Sequence, residues 1–148
     1  MRAGPALALL LGAGQAGAVT VSDCTDYRSS VHALAEPWEA NTRTFAKGDI
    51  RLAVADTIEP AAGAFHLIVL HPPFDELGGP QCHVISANES FGFAGMNIAP
   101  AEAVYDPATG LTVYIPVSVY VDSTGGFADG DLSVTINQAT GQVSAWVD

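Results

Sequence analysis

The clearest hydrophobic pattern of the chain lies in its C-terminal third, where apolar and polar residues alternate from residue 111 to residue 121. The odd positions are all aliphatic: Leu111, Val113, Ile115, Val117, Val119 and Val121. Because successive side chains of a strand point to opposite faces, this alternation predicts a long strand with one dry face. Pro116, on the other phase, lacks an N–H group, so we expect the strand to run along a sheet edge there, or to bulge.

A second pattern, a nearly continuous apolar run, covers residues 64–70 and ends at a His-Pro-Pro sequence. A run of this length, β-branched in part and bounded by prolines, predicts a central strand buried on both faces. Gly110 and Gly141 each end an Ala-Thr-Gly sequence between alternating runs, and a left-handed glycine there is predicted to close a hairpin loop. Shorter strands are predicted at 50–55, 82–86 and 91–96.

The N-terminal part of the domain shows a different spacing. Val31 and Leu34 are three residues apart, which favours a short helix within residues 27–35 that Pro37 would end. About seven strands with short turns and no long helical pattern predict an all-β, mainly antiparallel fold. We therefore expect a β-sandwich or a small barrel with one short N-terminal helix.

The first eighteen residues have the three parts of a secretory signal peptide. Arg2 gives a positive start, residues 6–11 form an apolar core, and Ala16-Gly17-Ala18 is a small-residue cleavage site. A transmembrane anchor is disfavoured, because glycines interrupt the apolar run before it reaches the roughly 20 residues that a bilayer requires. We expect cleavage after Ala18, a single β domain over residues 19–148, and a periplasmic or secreted location without insertion into the membrane.

The two cysteines, Cys24 and Cys82, both fall in the predicted mature chain. An exported protein meets an oxidising compartment, where an even number of cysteines favours a disulfide over a metal site. The alternative, in which Cys82 is a nucleophile and His83 its base, has the wrong geometry, because adjacent residues of a strand point to opposite faces. The sequence predicts a Cys24–Cys82 bridge.

Charge excludes several kinds of partner. The chain has 16 acidic and 5 basic residues, a net charge of −11, and no Lys or Arg follows Arg51. Such a surface repels phosphate backbones and anionic headgroups, so we expect neither nucleic-acid binding nor electrostatic membrane docking.

An acidic, glycine-rich segment from residue 122 to residue 131 is the candidate metal site. Asp122, Asp129 and Asp131 could offer carboxylate oxygens to calcium, although their spacing does not match an EF-hand loop. A solvated hairpin loop is the competing interpretation. The sequence leaves both open, with the loop preferred.

Histidines provide the other candidate chemistry. His66 and His71 are five residues apart, and an odd separation on a strand places them on opposite faces, so a shared metal ion with His83 is disfavoured. We expect each to be a hydrogen-bonded core or edge histidine. The common hydrolase, zinc-protease and nucleotide-binding motifs are not found, and the sequence predicts no cofactor.

Two sequences carry a family resemblance: Asp-Thr-Ile-Glu-Pro-Ala at 56–61 and Asn-Gln-Ala-Thr-Gly at 137–141. With these the chain resembles an uncharacterised family of small exported bacterial β-rich proteins with no known activity. The resemblance implies a periplasmic or secreted setting and assigns no functional residue. We expect a non-enzymatic domain that binds an unknown protein or small molecule, the alternatives being an envelope hydrolase with a convergent site and a calcium-binding module.

Overall fold

The computed structural model describes residues 17–148 and consists of two antiparallel sheets. The first sheet has the order β2-β6-β5-β4-β3, and its strands are β2 (Thr20–Asp23), β3 (Thr42–Phe45), β4 (Ile50–Asp56), β5 (Phe65–His71) and β6 (Gln81–Ser86). The second has the order β1-β11-β10-β9-β7, and β8 also pairs with β9. Its strands are β1 (Gly17–Ala18), β7 (Gly95–Met96), β8 (Glu102–Asp106), β9 (Gly110–Val121), β10 (Gly126–Ile136) and β11 (Val143–Val147). Within the described residues neither sheet closes into a barrel.

One hydrophobic cluster takes its residues from both sheets. The first sheet contributes aliphatic side chains from β4, β5 and β6, and the second contributes them from β9 and β10. Ile50, Leu67 and Ile85 on the first sheet and Ile115 and Leu132 on the second are all completely buried. The inward phase of each strand therefore supplies the core, and the outward phase is left for other contacts.

Strand β9 confirms the predicted alternation. Leu111, Val113, Ile115 and Val117 are buried, whereas Tyr114 and Pro116 between them are exposed. The prediction for Pro116 needs correction, because β9 has neighbours on both sides: β10 pairs along its whole length, and β8 and β7 share the other side. Pro116 falls where the neighbour changes from β8 to β7, so its missing N–H leaves no gap in a regular ladder.

Strand β5 is the central strand of its sheet, as its apolar run predicted. Its inward side chains join the main core, and outward Ile68 packs in a second cluster with Ala33 and Ala55. The covering segment is not the predicted helix: two successive 3-10 turns, Tyr27–Ser29 and Val31–Ala33, are separated by a residue in extended conformation. These turns cover the outer face of the first sheet.

The predicted disulfide is confirmed. Cys24 and Cys82 are bonded with their Cα atoms 5.6 Å apart, and they are 58 positions apart in sequence. Both sulfurs pack against the second cluster. The bridge therefore fastens the covering segment to β6.

The predicted signal peptide lies mostly outside the described residues. Of residues 1–18 only Gly17 and Ala18 are described, and as β1 they pair with Val147 and Trp146 at the end of β11. Cleavage after Ala18 would remove β1 and leave that edge of β11 unpaired. Among residues 17–148 there is no helix that is long and apolar enough to cross a membrane.

Candidate functional site

A polar groove lies on the outer face of the second sheet. Its volume is about 460 Å³, and nine residues line it: Ala108, Thr109, Thr112, Tyr114, Thr135, Asn137, Gln142, Ser144 and Trp146. We refer to this set of residues as the polar groove. All nine are uncharged, in a chain whose net charge is −11.

The register of three strands arranges the groove in rows. In one row Tyr114 and Trp146 both pair with Ser133, which lies between them and is 1% exposed. In the next row Thr112 and Ser144 both pair with Thr135. The first row makes one end of the groove aromatic, and the second row gives it a floor of small hydroxyl side chains.

Two turns close the opposite end of the groove. They join β8 to β9 and β10 to β11, and they carry the two Ala-Thr-Gly sequences. The predicted left-handed glycines are confirmed, with φ of 114° at Gly110 and 80° at Gly141. Asp106 accepts from the Ala108 N–H at 2.8 Å, and Asn137 accepts from the N–H groups of both residues 139 and 140. Side-chain caps therefore hold both turns in place.

The groove offers hydrogen bonds and ring faces without charge. Thr112 and Thr135 share a hydrogen bond of 2.8 Å between their hydroxyl groups. Each hydroxyl can both donate and accept, and so can the side-chain amide of Gln142. Asn137 adds a donor, since its oxygen already accepts from the turn. Tyr114 is 42% exposed, so its ring is available to a ligand. This chemistry suits an uncharged ligand with many polar groups.

A second cavity, of about 370 Å³, lies beside the outer face of the first sheet and contains buried His66. Arg28 Nη1 donates to Ser86 Oγ at 3.0 Å, and Ser86 Oγ lies 2.7 Å from His66 Nδ1. Because a guanidinium cannot accept, the Ser86 oxygen accepts from Arg28. Within the described residues the Ser86 hydroxyl contacts no acceptor other than Nδ1, so its own hydrogen goes to Nδ1. Neutral His66 therefore carries its proton on Nε2.

Burial, and to a lesser extent the nearby Arg28 charge, lower the pKa of His66 to about 4 against a smaller opposing effect of Asp26. His66 is therefore neutral at pH 7. Asp26 forms an ion pair with Arg28 at 2.7 Å, and this contact lowers the pKa of the Asp26 carboxyl. The network of Asp26, Arg28, Ser86 and His66 is internally paired apart from the His66 Nε2–H.

The Ser86–His66 contact resembles a nucleophile and its base in distance, but its surroundings differ. Ser86 is 1% exposed, and its oxygen already accepts from Arg28. None of the hydrogen bonds within residues 17–148 joins a carboxylate to His66 to orient the ring, as a catalytic triad requires. The pair acts as part of the covering structure.

The other two core histidines form a separate pair at the end of β5 and β6. His71 Nδ1 lies 2.7 Å from the Pro72 carbonyl, which can only accept, so His71 donates to it. His71 Nε2 then accepts from His83 Nδ1 at 2.7 Å, and Asp23 lies 3.5 Å from the other His83 nitrogen. Burial lowers the pKa of His71. With both nitrogens occupied, His71 has no free lone pair for a metal ion.

The acidic segment differs from the predicted long loop. Only residues 122–125 form the turn, and β10 already begins at Gly126. Asp122 lies in this turn, whereas Asp129 and Asp131 lie on β10 opposite Ser118 and Pro116. Between residues 17 and 148 no group of three histidine, cysteine or acidic residues is close enough together to hold a metal ion. The structure does not bring the three carboxylates into one site.

Sequence reasoning missed the polar groove. It assigned Tyr114 to the wet phase of β9 and drew nothing from Trp146 near the C-terminus. The available signal was the pair of Ala-Thr-Gly turns, because they fix the registers of β8 with β9 and of β10 with β11. The register of β10 with β11 aligns Tyr114 with Trp146 only when it is combined with that of β9 with β10.

Comparisons of the chain with protein-family models, curated proteins and solved structures found no match. The resemblance to exported bacterial β-rich proteins therefore stays a prediction. The function has to be inferred from the geometry and chemistry of the groove and the cavity.

Proposed function

We propose that this protein is an exported, non-enzymatic β domain that acts by binding a ligand in the polar groove, in the periplasm or outside the cell. The disulfide supports export, because such bonds persist in oxidising compartments. The core cluster shared by both sheets supports their arrangement as a β-sandwich. In a sandwich the outer face of β9, β10 and β11 is free to receive a ligand.

The observation that carries the proposal is the uncharged lining of the groove. Nine uncharged residues line a cavity of about 460 Å³ in a chain with 16 acidic residues. A surface that only served solubility would carry charges there, as the rest of the second sheet does at Asp129 and Asp131. The combination of aromatic and hydroxyl groups is typical of a binding site for an uncharged polar molecule.

Tryptophan fluorescence tests the proposal directly, because the chain has two tryptophans, Trp38 and Trp146. In a Trp38→Phe variant, emission reports on the groove alone. We expect uncharged sugars, polyols or small peptides to change this emission, with an affinity that is independent of salt because no charge pair forms. A response limited to charged compounds, or one that disappears at high salt, would contradict the proposal.

The envelope hydrolase remains the second proposal, and the contact that favours it is the one between Ser86 and His66 at 2.7 Å. It requires that Ser86→Ala abolish turnover of an ester or amide substrate. Ligand binding in the groove that persists in Ser86→Ala would separate the binding proposal from the hydrolase.

A further inference from the structure

We propose that the ligand of the polar groove is a neutral carbohydrate chain whose sugar rings contact Tyr114 and Trp146. This inference rests on the proposed function and names the chemical class of its ligand. Three features of the groove carry it: the aromatic end, the hydroxyl floor and the distribution of charge along the outer face of the sheet.

The aromatic end has the geometry of a stacking platform. Tyr114 on β9 and Trp146 on β11 occupy the same row, with β10 between them, so their Cα atoms are about 10 Å apart, or two strand spacings. Ser133 beneath them is 1% exposed, which shows that the row has no deep hole between the two aromatic residues. The faces of the rings are electron-rich, and the C–H face of a pyranose ring is apolar and weakly positive. A sugar ring can therefore lie against either aromatic side chain.

The floor of the groove matches the equatorial hydroxyls of a sugar. Thr112, Thr135 and Ser144 lie side by side in the neighbouring row, and Asn137 and Gln142 lie at the turn end. Sugar hydroxyls both donate and accept, and so do these hydroxyl groups and the Gln142 amide. A groove that binds a peptide backbone needs donors and acceptors in a fixed alternation. The rotatable hydroxyl groups of this floor have no such fixed order. The floor thus favours a polyhydroxylated ligand.

Charge selects neutral sugars over acidic ones. The row beyond the aromatic end pairs Pro116 with Asp131, and Asp129 follows two residues away on the same face. A chain long enough to extend past Tyr114 meets these carboxylates, which repel uronic acids, sulfates and phosphates. Within the groove no basic side chain is present to pair with an anion. The ligand therefore carries no negative charge over this length.

The test is isothermal titration of the full chain with four neutral hexasaccharides, namely cellohexaose, xylohexaose, maltohexaose and hexa-N-acetylchitohexaose, and with oligogalacturonate as the charged probe. We expect at least one neutral probe to bind and oligogalacturonate to show no binding. Trp146→Ala should weaken the binding by about tenfold or more, as truncation of an aromatic anchor does. Trp38→Ala is the matched control, because Trp38 is exposed and does not line the groove, and it should bind as the parent does.

A second variant keeps the test valid if Trp146→Ala unfolds. Thr135→Tyr places a ring on the groove floor, at a strand position where aromatic residues are favoured, and should block binding while circular dichroism stays unchanged. No binding of any neutral saccharide, or equal binding by Thr135→Tyr and the parent, would overturn the carbohydrate inference. If uncharged peptides or polyols bind in the groove and saccharides do not, the inference is wrong and the proposed function stands. If no uncharged compound binds there, both are wrong.

Discussion

The outer faces of the two sheets differ in how far other parts of the chain cover them. Over the first sheet, the 3-10 turns, the disulfide and the Arg28–Ser86–His66 network cover part of the outer face and bury Ala55 and most of Ile68. Over the second, the outward side chains of β9, β10 and β11 remain open as the polar groove. On the covered face Arg28, Ser86 and His66 hydrogen-bond to one another, whereas the polar groups of the open face are available to a ligand. We infer that the outer face of the first sheet contributes to stability and that the outer face of the second sheet binds the ligand.

Removal of the disulfide should give the largest loss of stability, because the bridge fastens the covering segment. Replacing both Cys24 and Cys82 with serine should lower the free energy of unfolding by about 4 kcal/mol, the value expected for closing a loop of this length. Urea denaturation measures the change. A loss below about 1 kcal/mol would show that the covering segment stays in place without the disulfide.

Acid should weaken the covered face through His66. The pKa of His66 is about 4 in the folded protein, against 6.5 for an unperturbed histidine, so the unfolded chain takes up the proton first as pH falls. The free energy of unfolding should therefore fall by about 3 kcal/mol between pH 6.5 and pH 4 on account of this group. In His66→Asn the amide oxygen can still accept from Ser86 but does not titrate. Between pH 6.5 and pH 4 its free energy of unfolding should therefore fall by about 3 kcal/mol less than that of the parent. Equal pH dependence of the two proteins would contradict the assignment.

One substitution made on each face tests the comparison directly. Ser86→Ala on the covered face leaves His66 Nδ1 and Arg28 Nη1 without a partner and should lower the free energy of unfolding by about 1–3 kcal/mol. The measurement is again urea denaturation. Ser90→Ala, at an exposed position of the same cavity, is the control and should change little.

The matching change on the open face should have the smallest effect on stability. Ser144 is exposed on the groove floor, so Ser144→Ala should alter the free energy of unfolding by less than about 0.5 kcal/mol. Its effect should be seen in ligand affinity instead. If Ser144→Ala and Ser86→Ala destabilise equally, the distinction between the two faces fails.

Local patterns predicted the features that depend on neighbouring residues. The phase of β9 follows from its strict alternation, and the disulfide follows from there being two cysteines in a chain predicted to be exported. The start of β10 was missed because glycine and aspartate at 126–131 are poor strand formers, and pairing with β9 along the whole strand overrides that preference. The predicted short helix within residues 27–35 does not form, because extended Ser30 separates two 3-10 turns there.

Local patterns could not predict the candidate sites, because each site joins residues that are far apart in the sequence. Arg28 and Ser86 are 58 positions apart, and no spacing rule connects them. Tyr114 and Trp146 share a row only because two strand registers align both of them with Ser133. The sequence therefore predicted the class of the fold but could not predict which face would be open.

The most direct test is a titration of the ¹⁵N-labelled protein with the neutral hexasaccharides, followed through backbone amide and tryptophan indole shifts. We expect the largest changes at 112–114, 133–135 and 144–146, including the Trp146 indole, with the signals of His66 and Ser86 unmoved. Changes centred on His66 and Ser86, or none on β9, β10 and β11, would contradict the assignment of binding to the open face.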